Sequence, residues 1–160
     1  MLPQTIRQLL GNRNRLMLPE SDLRSIIFIR LPVGLIFFTQ GILKYIDPHM
    51  GVVRFARIGF PMPELTAHVT GAFEITCGAL VLVGLLTRLA SMPLLIVILT
   101  AICTTKIPEL FRVDQGFWFM VSDARTDFAM TLSLIFLIAA GAGPWSIDAL
   151  LMRRASSSGQ

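Results

Sequence analysis

One carboxylate, Glu74, lies in the middle of an otherwise apolar segment that covers residues 66–86. This segment is long enough to cross a bilayer, which requires about 20 residues. An ionisable side chain at the centre of such a span costs roughly 2.5–3.5 kcal/mol, and it therefore faces protein or a water-filled cavity. A carboxylate in that position can accept a proton or bind the headgroup of a ligand, so Glu74 is the first candidate for a functional residue.

The composition predicts a membrane protein around this carboxylate. Hydrophobic residues make up 54% of the 160 residues and charged residues only 15%, whereas soluble domains carry about 25% charged residues. Four apolar segments are present, at residues 26–46, 66–86, 89–107 and 126–143. They predict an all-α integral membrane domain, a four-helix bundle over residues 26–152, and they leave no room for a separate soluble domain.

Shorter segments flank and connect the predicted spans. Residues 1–25 are basic and are interpreted as an amphipathic segment on the membrane surface or as a partly ordered tail, and residues 153–160 as a polar tail. Prolines and glycines over residues 47–65 are expected to break any helix and form a stiff outer loop. Residues 108–125 are expected to form a second outer loop, and residues 84–88 a tight turn that makes the second and third spans antiparallel neighbours.

Basic residues predict the orientation of the chain. Seven of them lie on the side of the two chain ends: Arg7, Arg13, Arg15, Arg24, Arg88, Arg153 and Arg154. Six lie on the other side: Lys44, Arg54, Arg57, Lys106, Arg112 and Arg125. The positive-inside rule then places both termini in the cytoplasm. Because this charge is divided between the two sides, no nucleic-acid partner is expected, and the long basic leader argues against a cleavable signal peptide.

In this orientation the ionisable residues of the spans gather in the outer half of the bundle. At 1.5 Å per helical residue, Glu74 falls about 12 Å below the outer surface, and His68 and Asp127 lie near that surface. We predict an outward-opening polar pocket between spans one, two and four, with Glu74 at its floor. Its mouth is expected to hold Lys44, Arg125 and Asp127, with His68 as a candidate proton relay.

Structural interpretations of the same residues stand beside this one. A Glu–Lys or Glu–Arg pair can fix helix packing, and Arg30 and Lys44 can snorkel to the membrane surfaces as anchors. Glycines at four positions favour close helix approach, within the chain or in a homodimer: Gly34, Gly41, Gly71 and Gly78. No metal site is predicted. The two cysteines, Cys77 and Cys103, are interpreted as packing residues, with a disulfide between facing helices as the alternative.

The ordered set of short motifs resembles the DoxX family of membrane proteins over most of residues 26–152. The motifs are Arg30 and Gly34, Gly41-x-x-Lys44, Glu74-x-x-x-Gly78, Gly84-Leu-Leu-Thr-Arg88 and the closing Gly141-x-Gly143-Pro144-Trp-Ser146-Ile-Asp148. The resemblance implies four transmembrane helices in the bacterial inner membrane. It also implies an association with quinone-linked oxidoreductase assemblies.

Three functions are compatible with these residues. The first is an accessory subunit of an oxidoreductase, which holds quinone or docks a redox partner on its outer face; no redox centre is evident in the chain itself. The second is a small proton-coupled transporter in which Glu74 relays protons. The third is a structural subunit of a larger complex. Membrane lipids, other membrane or redox subunits and further copies of the chain are the expected partners.

Overall fold

The computed structural model describes residues 24–110 and 116–150, and within them every regular element is helical. The elements are α1 (Ile26–Ile46), α2 (Val52–Ile58), α3 (Pro63–Val83), α4 (Thr87–Ala101), a π-helical turn (Ile102–Lys106), α5 (Ile107–Leu110) and α6 (Gly116–Ala140). The predicted all-α class is confirmed. The interpretations of residues 1–23, 111–115 and 151–160 lie outside the described residues.

Among the residues that the structure describes, three helices are long and apolar enough to cross a membrane. They are α1 with a mean hydropathy of 2.0, α3 with 1.4, and α4 together with the π-helical turn with 1.8. The predicted fourth span, residues 126–143, overlaps α6 as far as Ala140; α6 has 25 residues and carries Asp123, Arg125 and Asp127 in its first half. The four long helices pack together around one apolar core, so the predicted membrane protein has the expected helical architecture.

The predicted ends of the helices are less accurate than their number. The second span begins at Pro63, which is suited to the first helical turn, and ends at Gly84, whose φ of 72° stops the helix. The two predicted outer loops are wrong in part. Residues 47–65 contain α2, whose ends are marked by Gly51 and Gly59, and α6 begins ten residues earlier than the predicted span.

The turn between α3 and α4 has the predicted antiparallel geometry. The backbone amides of Gly84 and Leu85 both donate to the carbonyl of Leu80, each at 2.9 Å, which satisfies a carbonyl that the end of a helix leaves unpaired. Helix α4 then begins at Thr87. The two helices are therefore tightly joined at this end of the bundle.

Helices α1 and α3 are in backbone contact through their glycines. A Cβ atom added to Gly78 would lie 2.7 Å from the backbone nitrogen of Phe38 and 3.1 Å from the carbonyl oxygen of Gly34. A Cβ on Gly41 would lie 2.8 Å from the carbonyl oxygen of Gly71. The two glycines of α1, Gly34 and Gly41, are seven residues apart, and so are Gly71 and Gly78 of α3. The predicted close approach is thus an approach of two helices within one chain.

Arg30 joins α1 to the segment that follows α6. Only 3% of its surface is exposed, and its guanidinium donates from Nη1 to the carbonyl of Ala142 at 2.7 Å and from Nη2 to that of Trp145 at 2.9 Å. Carbonyls at the end of a helix lack intrahelical donors and favour a nearby cation. The interpretation of Arg30 as a snorkelling anchor is wrong, because its charge is buried against backbone carbonyls.

Further polar contacts secure the same end of the bundle. Arg88 donates from Nη2 to the carbonyl of Ala139 at 3.0 Å. Asp148 accepts from the backbone amide of Leu86 at 3.0 Å, and its own amide donates to Gly84 at 3.1 Å. Together with Arg30 these contacts define what we call the Arg30 end. The opposite end, where α1 stops and α3 starts, is called the Lys44 end.

We expect Arg30→Lys to destabilise the protein more than the matched change Arg88→Lys. Lysine lacks the planar fork that reaches two carbonyls at once, and a hydrogen bond from a charged group contributes about 1.5–3 kcal/mol. Arg88 is exposed, so its replacement leaves fewer buried groups unpaired. Thermal unfolding of both variants in the same detergent measures the difference. Equal melting temperatures would contradict the proposed importance of the Arg30 contacts.

Candidate functional site

A cavity of about 460 Å³ lies at the Lys44 end of the bundle. Five elements enclose it: α1, α2, α3, α4 with the π-helical turn, and α6. Its polar lining consists of Gln40, Lys44, Arg54, Thr66, Thr70, Glu74, Thr100, Thr104, Thr105, Lys106, Thr126 and Asp127. Its apolar lining includes Ile36, Phe37, Phe55, Ile96, Val97 and Met130. The cavity is therefore polar on several walls and apolar toward the middle of the bundle.

The lining residues repeat every four positions on the long helices. Such a spacing keeps side chains on one helix face. On α1 the stripe is Ile36, Gln40 and Lys44; on α3 it is Thr66, Thr70 and Glu74; on α4 and the π-helical turn it is Ile96, Thr100 and Thr104. Each of these stripes combines polar side chains with the apolar residues that line the cavity beside them.

Glu74 and Lys44 form an ion pair that connects α3 to α1. The ammonium of Lys44 donates to Oε2 of Glu74, and Glu74 is 4% exposed. The sequence left open whether Glu74 pairs with a cation or lines a pocket, and the structure shows both arrangements at once. Lys44 is directed at the carboxylate, although it stands in the last turn of α1.

A second ion pair closes the opposite side of the cavity. Lys106 donates to Oδ2 of Asp123, and its ammonium lies 3.9 Å from Oδ2 of Asp127. Lys106 is the last residue of the π-helical turn. Pro108 follows closely, and a proline ring clashes with the carbonyl four residues earlier in a regular helix, which explains a local widening there. Such π turns occur frequently at functional sites.

Arg54 and the other α2 residues cover the cavity at the Lys44 end. Met50, Phe55 and Ile58 belong to this cover. Arg54 lies close enough to act electrostatically on both Glu74 and Asp127. From sequence, Arg54 is expected only as a charge in the outer loop, because residues 47–65 are predicted to contain no helix.

The structure brings together three of the five residues predicted for the pocket. Lys44, Glu74 and Asp127 line the cavity. The imidazole of His68 packs at a tilt against the ring of Tyr45, with 5.1 Å between the ring centres. Its Nδ1 lies 2.7 Å from the carbonyl oxygen of Glu64, and His68 is not part of the cavity lining. Arg125 also lies off the lining.

The side chain of Arg125 donates from Nη1 to Oγ of Ser122 at 3.3 Å. The sequence did not predict several of the polar residues that line the cavity, among them Arg54, Lys106 and the threonines of α3, α4 and the π-helical turn. For the threonines, the sequence does contain a signal, because they recur four residues apart at positions 66 and 70 and at positions 100 and 104.

Apolar side chains close the cavity toward the Arg30 end. The lining stops at Ile36, Ile96 and Met130, and beyond them Leu94, Leu134 and Leu137 are fully buried. A polar path from Glu74 to Arg88, which a transporter would use, is interrupted by this layer.

The described residues contain neither a disulfide bond nor a cluster of metal-binding side chains. The thiols of Cys77 and Cys103 are both free, so the alternative of a disulfide between them is wrong. Within residues 24–110 and 116–150, no three His, Cys, Asp or Glu side chains form a group that would hold a metal ion.

Comparisons with known proteins place these observations in a family. Residues 25–107 match the family model DoxX. The chain is 49% identical over 140 residues to "Uncharacterized membrane protein Rv3486" of Mycobacterium tuberculosis (strain ATCC 25618 / H37Rv), which covers 84% of this chain and 86% of that protein. It is 27% identical over 127 residues to "Putative oxidoreductase CatD" of Bacillus subtilis (strain 168), covering 79% and 87% respectively. No solved structure matches the chain significantly.

We expect Lys44→Met to destabilise the protein, and the double change Lys44→Met with Glu74→Gln to restore part of the loss. Removing one partner of a buried pair leaves the other charge uncompensated, at a cost of about 3–5 kcal/mol. The double variant removes both charges and keeps the side-chain volumes similar. Thermal unfolding in detergent compares the three proteins. A double variant no more stable than Lys44→Met would contradict the view that the pair is coupled.

Proposed function

Because the chain belongs to the DoxX family, we propose that it is an accessory membrane subunit of an oxidoreductase system and that its cavity holds a quinone headgroup. The observation that carries the proposal is a cavity of about 460 Å³ that combines ionisable groups with an apolar floor. Small-molecule sites have volumes of about 300–1,000 Å³ and place a few polar groups on a mostly apolar wall. A quinone ring with its two carbonyls fits this description.

The polar groups are suited to the two redox forms of a quinone. The carbonyls of the oxidised ring require hydrogen-bond donors, which Lys44 and Lys106 supply from opposite walls. Reduction by two electrons also consumes two protons and produces two hydroxyl groups. Glu74 and Asp127 are the carboxylates in position to pass protons and to accept hydrogen bonds from those hydroxyls.

Electrons for this reaction would come from a partner protein. A redox cofactor carries such chemistry, and we propose that another oxidoreductase subunit supplies it at the Lys44 end. The aromatic residues Phe117, Trp118 and Phe119 are exposed there at the start of α6. The relative named "Putative oxidoreductase CatD" supports a redox setting.

A structural role is the second candidate, and the direct Lys44–Glu74 ion pair favours it. An ion pair that links α1 to α3 stabilises their packing without any ligand. The cavity beside that pair is the reason to prefer the ligand-binding proposal, because a purely structural pair is more often packed on all sides. The interrupted polar path makes a proton-coupled transporter the weakest of the three candidates.

We expect quinone to co-purify with the wild-type protein. We expect the amount of bound quinone to be at least about tenfold lower in Glu74→Gln, since 1.4 kcal/mol corresponds to a factor of ten in binding. Native mass spectrometry and lipid extraction in mild detergent measure the bound quinone. Glu64→Gln is the matched control, because Glu64 is exposed at the start of the same helix. Quinone retained in Glu74→Gln, or absent from the wild type, would contradict the proposal and favour the structural role.

We further propose that the protein lies in the bacterial inner membrane as a multi-pass protein, with both termini in the cytoplasm and the Lys44 end facing outward. The seven basic residues on the side of the chain ends support this orientation. Carboxy-terminal fusions to green fluorescent protein and to alkaline phosphatase measure it. We expect a fluorescent first fusion and an inactive second fusion, and active phosphatase would reverse the orientation.

A further inference from the structure

The cavity has a second boundary that is not covered by protein. Ile96 lines the cavity and yet keeps 65% of its surface exposed. Thr100, one helical turn further, also lines the cavity and is exposed. A side chain that lines an enclosed cavity would be covered on all sides, so the cavity is open where these two residues stand.

The position of this opening is between α3 and α4. On α3 the lining residue Thr70 lies about 100° around the helix from Gly71, which is occupied by the contact with α1. Thr66 and Thr70 on α3 and Ile96 and Thr100 on α4 therefore border the opening. The two helices are joined by a turn of three residues at the Arg30 end, and the opening lies farther along them.

The depth of the opening places it within the membrane. Helix α4 and the π-helical turn together span 20 residues, and Ile96 is near their middle. At 1.5 Å per residue it lies about 14 Å along the helix from Thr87. Since the hydrocarbon core of a bilayer is about 30 Å thick, Ile96 faces the acyl chains rather than water.

At the Lys44 end, in contrast to the opening beside Ile96, the cavity is covered by protein. Helix α2 and its flanking residues cross the Lys44 end, and Met50, Phe55, Ile58 and Phe60 line the cavity from there. The ring of Phe60 lies 5.4 Å from that of Phe55, so the chain after α2 packs back on it. A ligand that arrives from the aqueous side would have to displace this apolar cover.

We propose that the cavity is loaded from within the bilayer, through a lateral portal between α3 and α4 bordered by Thr70, Ile96 and Thr100. The ligand class is a membrane-dissolved amphiphile, with a small polar headgroup that reaches Glu74 and a hydrocarbon chain that remains in the portal against Ile96. This inference deepens the proposed function, and it rests on that proposal only for the identity of the headgroup.

Labelling with an alkyl diazirine dissolved in the bilayer tests the portal without any assumption about quinone. The wild-type protein in lipid nanodiscs is irradiated with the probe, and fragmentation mass spectrometry measures labelling at Thr70 and Glu74 separately from the exposed neighbours Val69 and Phe73. We expect labelling of these cavity residues in the wild type. We expect a loss of several-fold in Ile96→Trp, whose larger side chain fills the portal.

Leu99→Trp is the matched control, because Leu99 is 44% exposed on the same helix and does not line the cavity. Its labelling should equal that of the wild type. An unlabelled cavity in the wild type, or equal labelling in Ile96→Trp and Leu99→Trp, would overturn the portal.

A competition arm separates this inference from the proposed function. A naphthoquinone with an isoprenoid tail should suppress the labelling of Glu74 in the wild type. If the cavity is labelled and the tailed quinone does not compete, the portal stands as an entrance for another amphiphile and the quinone proposal fails.

Discussion

The cost of placing a charge in hydrocarbon determines how this molecule is organised. Arg30, Lys44 and Glu74 lie inside helices that are long and apolar enough to cross a membrane, and each has a polar partner on another element. Because lipid supplies no hydrogen bonds, a buried charge must find its partner within the protein. The helices that carry these residues are therefore held in one arrangement, which positions the cavity.

The two ends of the bundle use this constraint differently. At the Arg30 end the guanidinium is directed at backbone carbonyls, and Asp148 and Arg88 add further contacts to backbone groups; the result is a tightly joined base. At the Lys44 end the charges are on side chains of both signs around an open volume. A ligand can exchange hydrogen bonds with side-chain pairs more readily than with backbone carbonyls, so the ligand site belongs at the Lys44 end.

Most of the helices and the centre of the site were predictable from sequence, because hydropathy and the cost of a buried carboxylate are local properties. The sequence position of a residue gives its depth along a helix, but the predicted pocket did not take account of the direction in which each side chain points around the helix axis. His68 precedes Glu74 by six residues and points about 120° away from it around α3. Arg125 was placed in a loop, and once α6 is known to include it, its side chain points about 200° from that of Asp127. Helix α2 and the π-helical turn were missed because both depend on packing against the other helices rather than on hydropathy.

The side chains that lie between α3 and α4 near the cavity determine which class of ligand can enter there. Glycines bring α1 and α3 into backbone contact, whereas the stripes that α3 and α4 present to each other near the cavity are threonines and isoleucine. Side chains of this size keep two backbones apart, and the threonine hydroxyls of α4 donate to their own helix, as Thr100 does to Ile96 and Thr104 to Thr100, both at 2.8 Å. Their oxygens remain able to accept hydrogen bonds without an unpaired donor in the lipid. A wall of this kind is stable beside acyl chains and still offers polar contacts to a headgroup, which is the combination that an amphiphile entering from the bilayer requires.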